Sequence, residues 1–224
     1  MNKIKLAIAD IDGVLRGKYI SIRKFNKIKK NNNVGFCSAI FGWDCEDECY
    51  DNVEFTGWHT GYHDIMTQID FNTLRKIPWE DNQPFYLLDY NNSVCPRFLL
   101  KNIVKECEGM GYIPQFALEY EWFNFKENSK TLQEKNYTNL EPITIGNFGY
   151  SLLRLSENDD YVQSIFNNIK KMSIPIECIH GESGPGVLEV ALEYCDALEM
   201  ADRAVIFKYG VKSIAKHFGY TATF

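Results

Sequence analysis

The sequence predicts an α+β protein, a small mixed β segment to about residue 90 followed by a catalytic-type α+β segment over 95–224. Two observations predict it. Short apolar runs broken by Gly, Asp and Pro fill residues 34–88, the pattern of a compact sheet of short strands. Beyond Cys95-Pro96-Arg97, helix-period and strand-period stretches alternate.

In order, Lys3 to Ala9 alternates and then runs apolar, as a strand entering a core does, and Asp12-Gly13 makes a turn. A second strand is expected near 18–25. The basic, Asn-rich run Lys24–Asn33 reads as an exposed helix or loop. Pro96 suits the first turn of a helix, where its missing N–H is harmless. That helix carries Leu99, Ile103, Val104 and Cys107 and ends at Gly109 and Gly111. Ile113 to Phe125 reads as a strand and 126–147 as a long polar loop. Asn158 or Asp159 starts a helix with Val162, Ile165, Phe166 and Ile169 at helical spacing. Ile174 to Glu182 is a strand. A long helix is expected from about Leu188 to His217, and Thr221 to Phe224 reads as an unsupported strand.

With 224 residues, 45% of them hydrophobic and 14% aromatic, the chain can bury an ordinary core. A net charge of −6 argues against a nucleic-acid surface, which needs basic residues to meet phosphates. No window has the roughly 20 apolar residues of a membrane span, and no signal peptide opens the chain. Seven cysteines without paired CxxC knuckles fit reduced thiols, so a cytoplasmic protein is expected.

Candidate chemistry lies in the acidic residues. In a strand, Glu119 and Glu121 share one face, yet their neighbours Phe116, Leu118, Tyr120, Trp122, Phe123 and Phe125 are apolar. Carboxylates buried there need a cation or a partner. The alternative is a half-exposed strand with two solvated glutamates. His180 and Glu182 repeat the pattern, Ser183-Gly184-Pro185-Gly186 turns sharply, and Glu189 returns at an expected helix start. Four carboxylates and an imidazole make an oxygen-rich set suited to Mg²⁺ or Mn²⁺, and the expectation is a buried divalent-metal site serving phosphate chemistry.

The ordered set Leu15-Arg16-Gly17-Lys18, Phe41-Gly42-Trp43-Asp44, Gly61-Tyr62-His63-Asp64, Asp70-Phe71-Asn72, Cys95-Pro96-Arg97, Glu119-x-Glu121-x-Phe123 and His180-x-Glu182-x-Gly184-Pro185-Gly186-x-x-Glu189 resembles the N-terminal half of a glutamine synthetase. The resemblance runs along nearly the whole chain and includes the γ-glutamyl-polyamine ligase branch. It implies a β-grasp domain over 1–90, then the first part of the catalytic domain over 95–224. It implies that Glu121, Glu182 and Glu189 bind one metal and Glu119 a second, that Glu177 and Tyr194 contact ATP, that His180 lies near the transferred phosphate, and that Asp44 helps deprotonate ammonium. ATP, glutamate, and ammonia or an amine are the implied substrates, joined through γ-glutamyl phosphate in a homo-oligomeric ring with active sites shared between subunits. Strand alternation turns Glu177 away from His180, so its ATP role requires a twist or bulge. The family's second half is not represented, so the sequence is expected to be an incomplete fragment that binds metal weakly and does not turn over.

Two rivals remain. Asp10-Ile11-Asp12-Gly13 after a strand resembles the opening motif of haloacid-dehalogenase-type phosphatases, although Asp-x-Asp-Gly is also simply a good turn. A non-catalytic relative with a structural role is the other. The acidic stretch Glu46-Asp47-Glu48 favours a cationic amine or is merely an exposed loop. Lys18, Arg75 and Arg97 read as structural or subunit-contact charges.

Overall fold

A computed structural model describes residues 2–224. Two compact units emerge, one of residues 2–114 with 196–205 and one of residues 115–195 with 206–224.

The first unit is built on a six-stranded sheet. Strand β1 (Lys3–Ala9) buries Ile4, Leu6 and Ile8 on one face and pairs antiparallel with β2 (Leu15–Ser21) across the Asp12-Gly13 turn. The second strand thus ends earlier than expected, because the Ser21 hydroxyl accepts the Lys24 N–H and caps helix α1 (Ile22–Ile28). Within the basic run, α1 sends Phe25 and Ile28 into the core. Strands β3 (Val34–Cys37), β4 (Asp64–Ile69), β5 (Arg75–Ile77) and β6 (Gln83–Asp89) complete the order β2-β1-β6-β4-β3, with β5 also on β6. The core beneath them joins Ile4, Leu6, Ile8, Phe36, Ile65 and Leu88.

Helix α2 (Pro96–Gly109) starts at proline as expected, but its buried residue is Arg97, while Leu99 and Ile103 are exposed. Arg97 donates to both oxygens of Asp202 at 2.7 and 2.8 Å, to Asp89 at 2.5 Å and to Asp70 at 2.9 Å. Its guanidinium is held firmly charged by these carboxylates against the cost of burial. Arg75 pairs with Glu199, and Lys18 donates to the Gly35 carbonyl.

The second unit carries a four-stranded sheet in the order β10 (Thr221–Thr223), β7 (Gln115–Phe125), β9 (Val187–Asp196), β8 (Ile176–Gly181). Strand β7 (Gln115–Phe125) buries Trp122 and Asn124 on one face. The polar stretch after it contains helix α3 (Ser129–Glu134), pinned by Glu127, whose buried carboxylate accepts the Glu141 N–H at 3.0 Å and pairs with Lys135. A short α4 (Leu152–Ser156) precedes α5 (Asp159–Lys171), where Tyr161, Val162, Ile165 and Ile169 are buried. Strand β8 (Ile176–Gly181) pairs antiparallel with β9 (Val187–Asp196).

That last strand corrects the sequence reading. Residues 187–196 are sheet, and the helix, α6, covers only Ala197–His217. No breaker separates the two, and Leu, Glu and Ala suit a helix. The deciding pattern is Leu188, Val190 and Leu192 buried at every second position, which pairing with β8 uses and a helix would scatter. The terminal strand β10 (Thr221–Thr223) is not unsupported either. It pairs antiparallel with β7, and Phe224 packs on Tyr120 and Trp122.

Candidate metal and phosphate site

The site is assembled on the second sheet. In β8 and β9, His180 stands directly across from Glu189, which is therefore a strand residue and not a helix start. Glu182 follows the end of β8 and its N–H donates to the Val187 carbonyl at 3.2 Å, closing the turn. His180 Nδ1 lies 3.8 Å from Glu182 and Nε2 lies 3.9 Å from Glu189. One ligating atom from each of the three lies within 4.8 Å of the others.

The turn is held by glycine. Gly186 has φ +72°, and a Cβ there would meet the Asn124 carbonyl at 2.6 Å. Its carbonyl accepts from both the backbone and side-chain amides of Asn124 at 3.0 Å, and its N–H donates to Thr144 at 3.1 Å. Asn124 is itself wholly buried and accepts from Trp122 Nε1 at 2.9 Å and the Tyr161 hydroxyl at 2.7 Å. This polar knot under the sheet sets the turn linking Glu182 to Glu189. Nothing in residue spacing announces Asn124.

Glu119 and Glu121 depart from expectation. Both are exposed, so the premise that they are buried charges is wrong for them. The apolar neighbours divide by strand alternation. Tyr120 and Trp122 pack on Phe207, while Phe123, on the face of the glutamates, remains exposed. Glu119 and Glu121 stand outside the three-residue cluster, yet their charge reaches it. Burial pushes the Glu189 carboxyl above its ordinary value, His180 opposes this, and Glu119, Glu121 and Glu182 push it further up. The Ser183 backbone and side chain instead hold Glu182 below the usual carboxylate range.

The donors fit a hard divalent cation. One donor atom from each of His180, Glu182 and Glu189 lies within 4.8 Å of the others, close enough for modest side-chain shifts to bring oxygen donors onto one ion. The burial and like-charge repulsion that raise Glu189 are what a bound cation relieves. Tyr150, which no sequence signal singled out, lies with its ring stacked on His180 at 4.3 Å between centroids. Its N–H donates to the Gly181 carbonyl at 2.8 Å.

The remaining candidates are scattered. Glu177 is exposed at a register shift between Ile176 and Cys178, the bulge its expected role required. Tyr194 is exposed near the end of β9. Asp44 belongs to the first unit, where its Oδ1 accepts the Glu46 and Glu48 N–H groups at 2.8 and 3.0 Å. Asp10 is wholly buried with both oxygens engaged, by the Asp12 and Val14 N–H groups and by Arg16. It is a turn-forming carboxylate and not an accessible nucleophile.

Residues 93–224 match the family model for the glutamine synthetase catalytic domain. The chain belongs to the glutamine synthetase family. Type-1 glutamine synthetase 2 of Dictyostelium discoideum is 46% identical over 228 residues, which covers 99% of this chain and 43% of that protein. A glutamate–isopropylamine ligase of a Pseudomonas species is 32% identical, over 100% of this chain and 50% of its own length. The chain spans about half the length of the curated relatives it matches. The fold is also similar to a solved structure of apo GmaS without ligand, at a TM-score of 0.80 and 22% identity, over 100% of this chain and 50% of that one. The mixed α+β architecture with two sheets agrees with this neighbour. Among the described residues no helix is long and apolar enough to cross a membrane.

Proposed function

We propose that the protein bearing this sequence is an ATP-dependent ligase that joins ammonia or an amine to the γ-carboxylate of glutamate through γ-glutamyl phosphate. The observation that carries the reading is the His180, Glu182 and Glu189 cluster, with ligating atoms within 4.8 Å, beside a strand bearing Glu119 and Glu121. Glu121, Glu182 and Glu189 would hold one Mg²⁺ or Mn²⁺ and Glu119 would contribute to a second. Such ions neutralise the negative oxygens that meet during phosphoryl transfer. His180, which lies between Glu182 and Glu189 with the Tyr150 ring stacked on it, is assigned to the transferred phosphate. Glu177 and Tyr194 are assigned to ATP. Asp44, on a β-grasp domain over 1–90 that serves a neighbouring subunit's site over 95–224, takes a proton from the amine in a cytoplasmic ring.

A second reading, an amine larger than ammonia, is supported by the names of two relatives, the isopropylamine ligase and a γ-glutamylethanolamide synthetase of Streptomyces coelicolor.

Because this chain offers the second ion only Glu119, the 224 residues alone are expected to bind Mn²⁺ weakly and to release no ADP. Manganese binding, followed by electron paramagnetic resonance on the chain, should weaken roughly tenfold for Glu182→Gln and for Glu189→Gln. Glu141→Gln, at an exposed site on the polar loop, should leave it unchanged. Equal affinity in all four proteins would refute the metal assignment. For the protein as its natural gene encodes it, ADP release should require both glutamate and ammonia or an amine; release independent of glutamate sinks the reaction.

A further inference from the structure

Arg16 lies on β2, opposite Ile8 of β1. Its Nε donates to Asp10 Oδ2 at 2.7 Å, and Asp10 is locked in place by two backbone N–H groups on its other oxygen. From that fixed base the guanidinium reaches the loop around Asp44. One nitrogen donates to the Asp44 main-chain carbonyl at 2.9 Å, another pairs with Asp47, and Cζ lies over the Trp43 ring, 5.2 Å from its centroid.

The loop is closed on itself by Asp44. The Asp44 N–H donates to the Glu48 carbonyl at 3.0 Å, and Oδ1 accepts from Glu46 and Glu48. Both of those bonds are accepted by Oδ1 and not by Oδ2. Arg16 ties this turn to Asp10 at the end of β1, beside Trp43, which packs against the core. The task suits arginine, whose rigid fork donates in several directions while its face stacks on an aromatic ring; a lysine ammonium cannot do both.

We propose that Arg16, anchored by Asp10, is the positioning residue of the Asp44 turn and holds it so that Asp44 Oδ2 meets the incoming amine. The inference rests on the reading of Asp44 as the amine's base. It also gives a role to Asp10, the residue of the rejected phosphatase motif.

Hydrogen exchange on the 224-residue chain tests the clamp directly. In Arg16→Lys, which keeps the charge and loses the fork, the Glu46 and Glu48 amides should exchange at least tenfold faster, while Leu6 and Ile8 in β1 change less than twofold. Unchanged exchange at Glu46 and Glu48 overturns the proposal. So does faster exchange at Leu6 and Ile8 to the same extent, which would make Arg16 a support of the whole sheet. Kinetics on the protein as its natural gene encodes it form the second arm. Arg16→Lys should raise the KM for the amine at least tenfold and leave those for ATP and glutamate within twofold. If Asp44→Asn alters amine kinetics and Arg16→Lys does not, the positioning role is wrong. If Asp44→Asn leaves amine kinetics untouched, the reading of Asp44 fails, while the exchange result still decides whether Arg16 clamps the turn.

Discussion

Replacing Asn124 by Ala tests whether the knot beneath the metal-site turn is structural in the way its geometry indicates. The change removes the acceptor for two donors, Trp122 Nε1–H and the Tyr161 hydroxyl, on side chains that are each 1% exposed. The Gly186 carbonyl is spared, because the Asn124 backbone N–H still reaches it. An orphaned buried donor costs about 1–3 kcal/mol, so the loss is about 2–6 kcal/mol. Against a typical stability of about 5–15 kcal/mol, that is a large fraction. Urea denaturation followed by circular dichroism measures it. Tyr161→Phe supplies the control, since it removes one of the two donors and should recover about 1–2 kcal/mol in the Asn124→Ala background. A loss below about 1 kcal/mol, or strict additivity of the two changes, would refute the reasoning.

Three further outcomes follow from the same structure. Gly186→Ala forces a side chain onto a φ of +72° with its Cβ 2.6 Å from a carbonyl oxygen, so it should cost about 1–3 kcal/mol in the same denaturation assay and weaken Mn²⁺ binding with it. Arg97→Met leaves the buried Asp202 without its partner, while Lys101 still holds Asp70 and Asp89, and should cost about 3–5 kcal/mol, read as a lower denaturation midpoint. Lys135, the Glu141 N–H and Thr131 hold the Glu127 carboxyl down to about 2 from an ordinary 4.5. A depressed folded value means its contribution is fully present above the unfolded value and is lost as pH falls toward 2. Glu127→Gln should therefore flatten stability between about pH 5 and pH 2, seen in midpoints measured across that window.

The residues of the candidate site were legible in the sequence as types and spacings, because strand alternation and a Gly-Pro-Gly turn are local properties. His180 and Glu182 could be set on one side of a strand from the sequence alone, while the same period-two rule turned Glu177 away from them, and only the structure shows the register shift beside it. Glu189 could not be placed correctly. Residues 187–196 satisfy helix propensity, and only pairing with β8 decides that they are a strand. The glutamates of β7 failed for a related reason. Their apolar neighbours suggested burial, but which face of a strand is covered depends on what packs there. Phe207 of α6 and Phe224, both remote in sequence, cover the other face.

By itself, then, the amino-acid order determined the family, the α+β class, helix starts at Pro96 and at Asn158 or Asp159, and the acidic residue types of the candidate site. These depend on contacts within a few residues or on motifs read in order. Tertiary structure alone decided three things. It drew His180, Glu182 and Glu189 into one cluster while leaving Glu119 and Glu121 on an open face. It buried Asn124 under Gly186, 62 residues away, and ran Arg16 from Asp10 to the Asp44 turn. Each outcome turns on which surface is desolvated and which distant partner satisfies a buried polar group, and no local pattern encodes either.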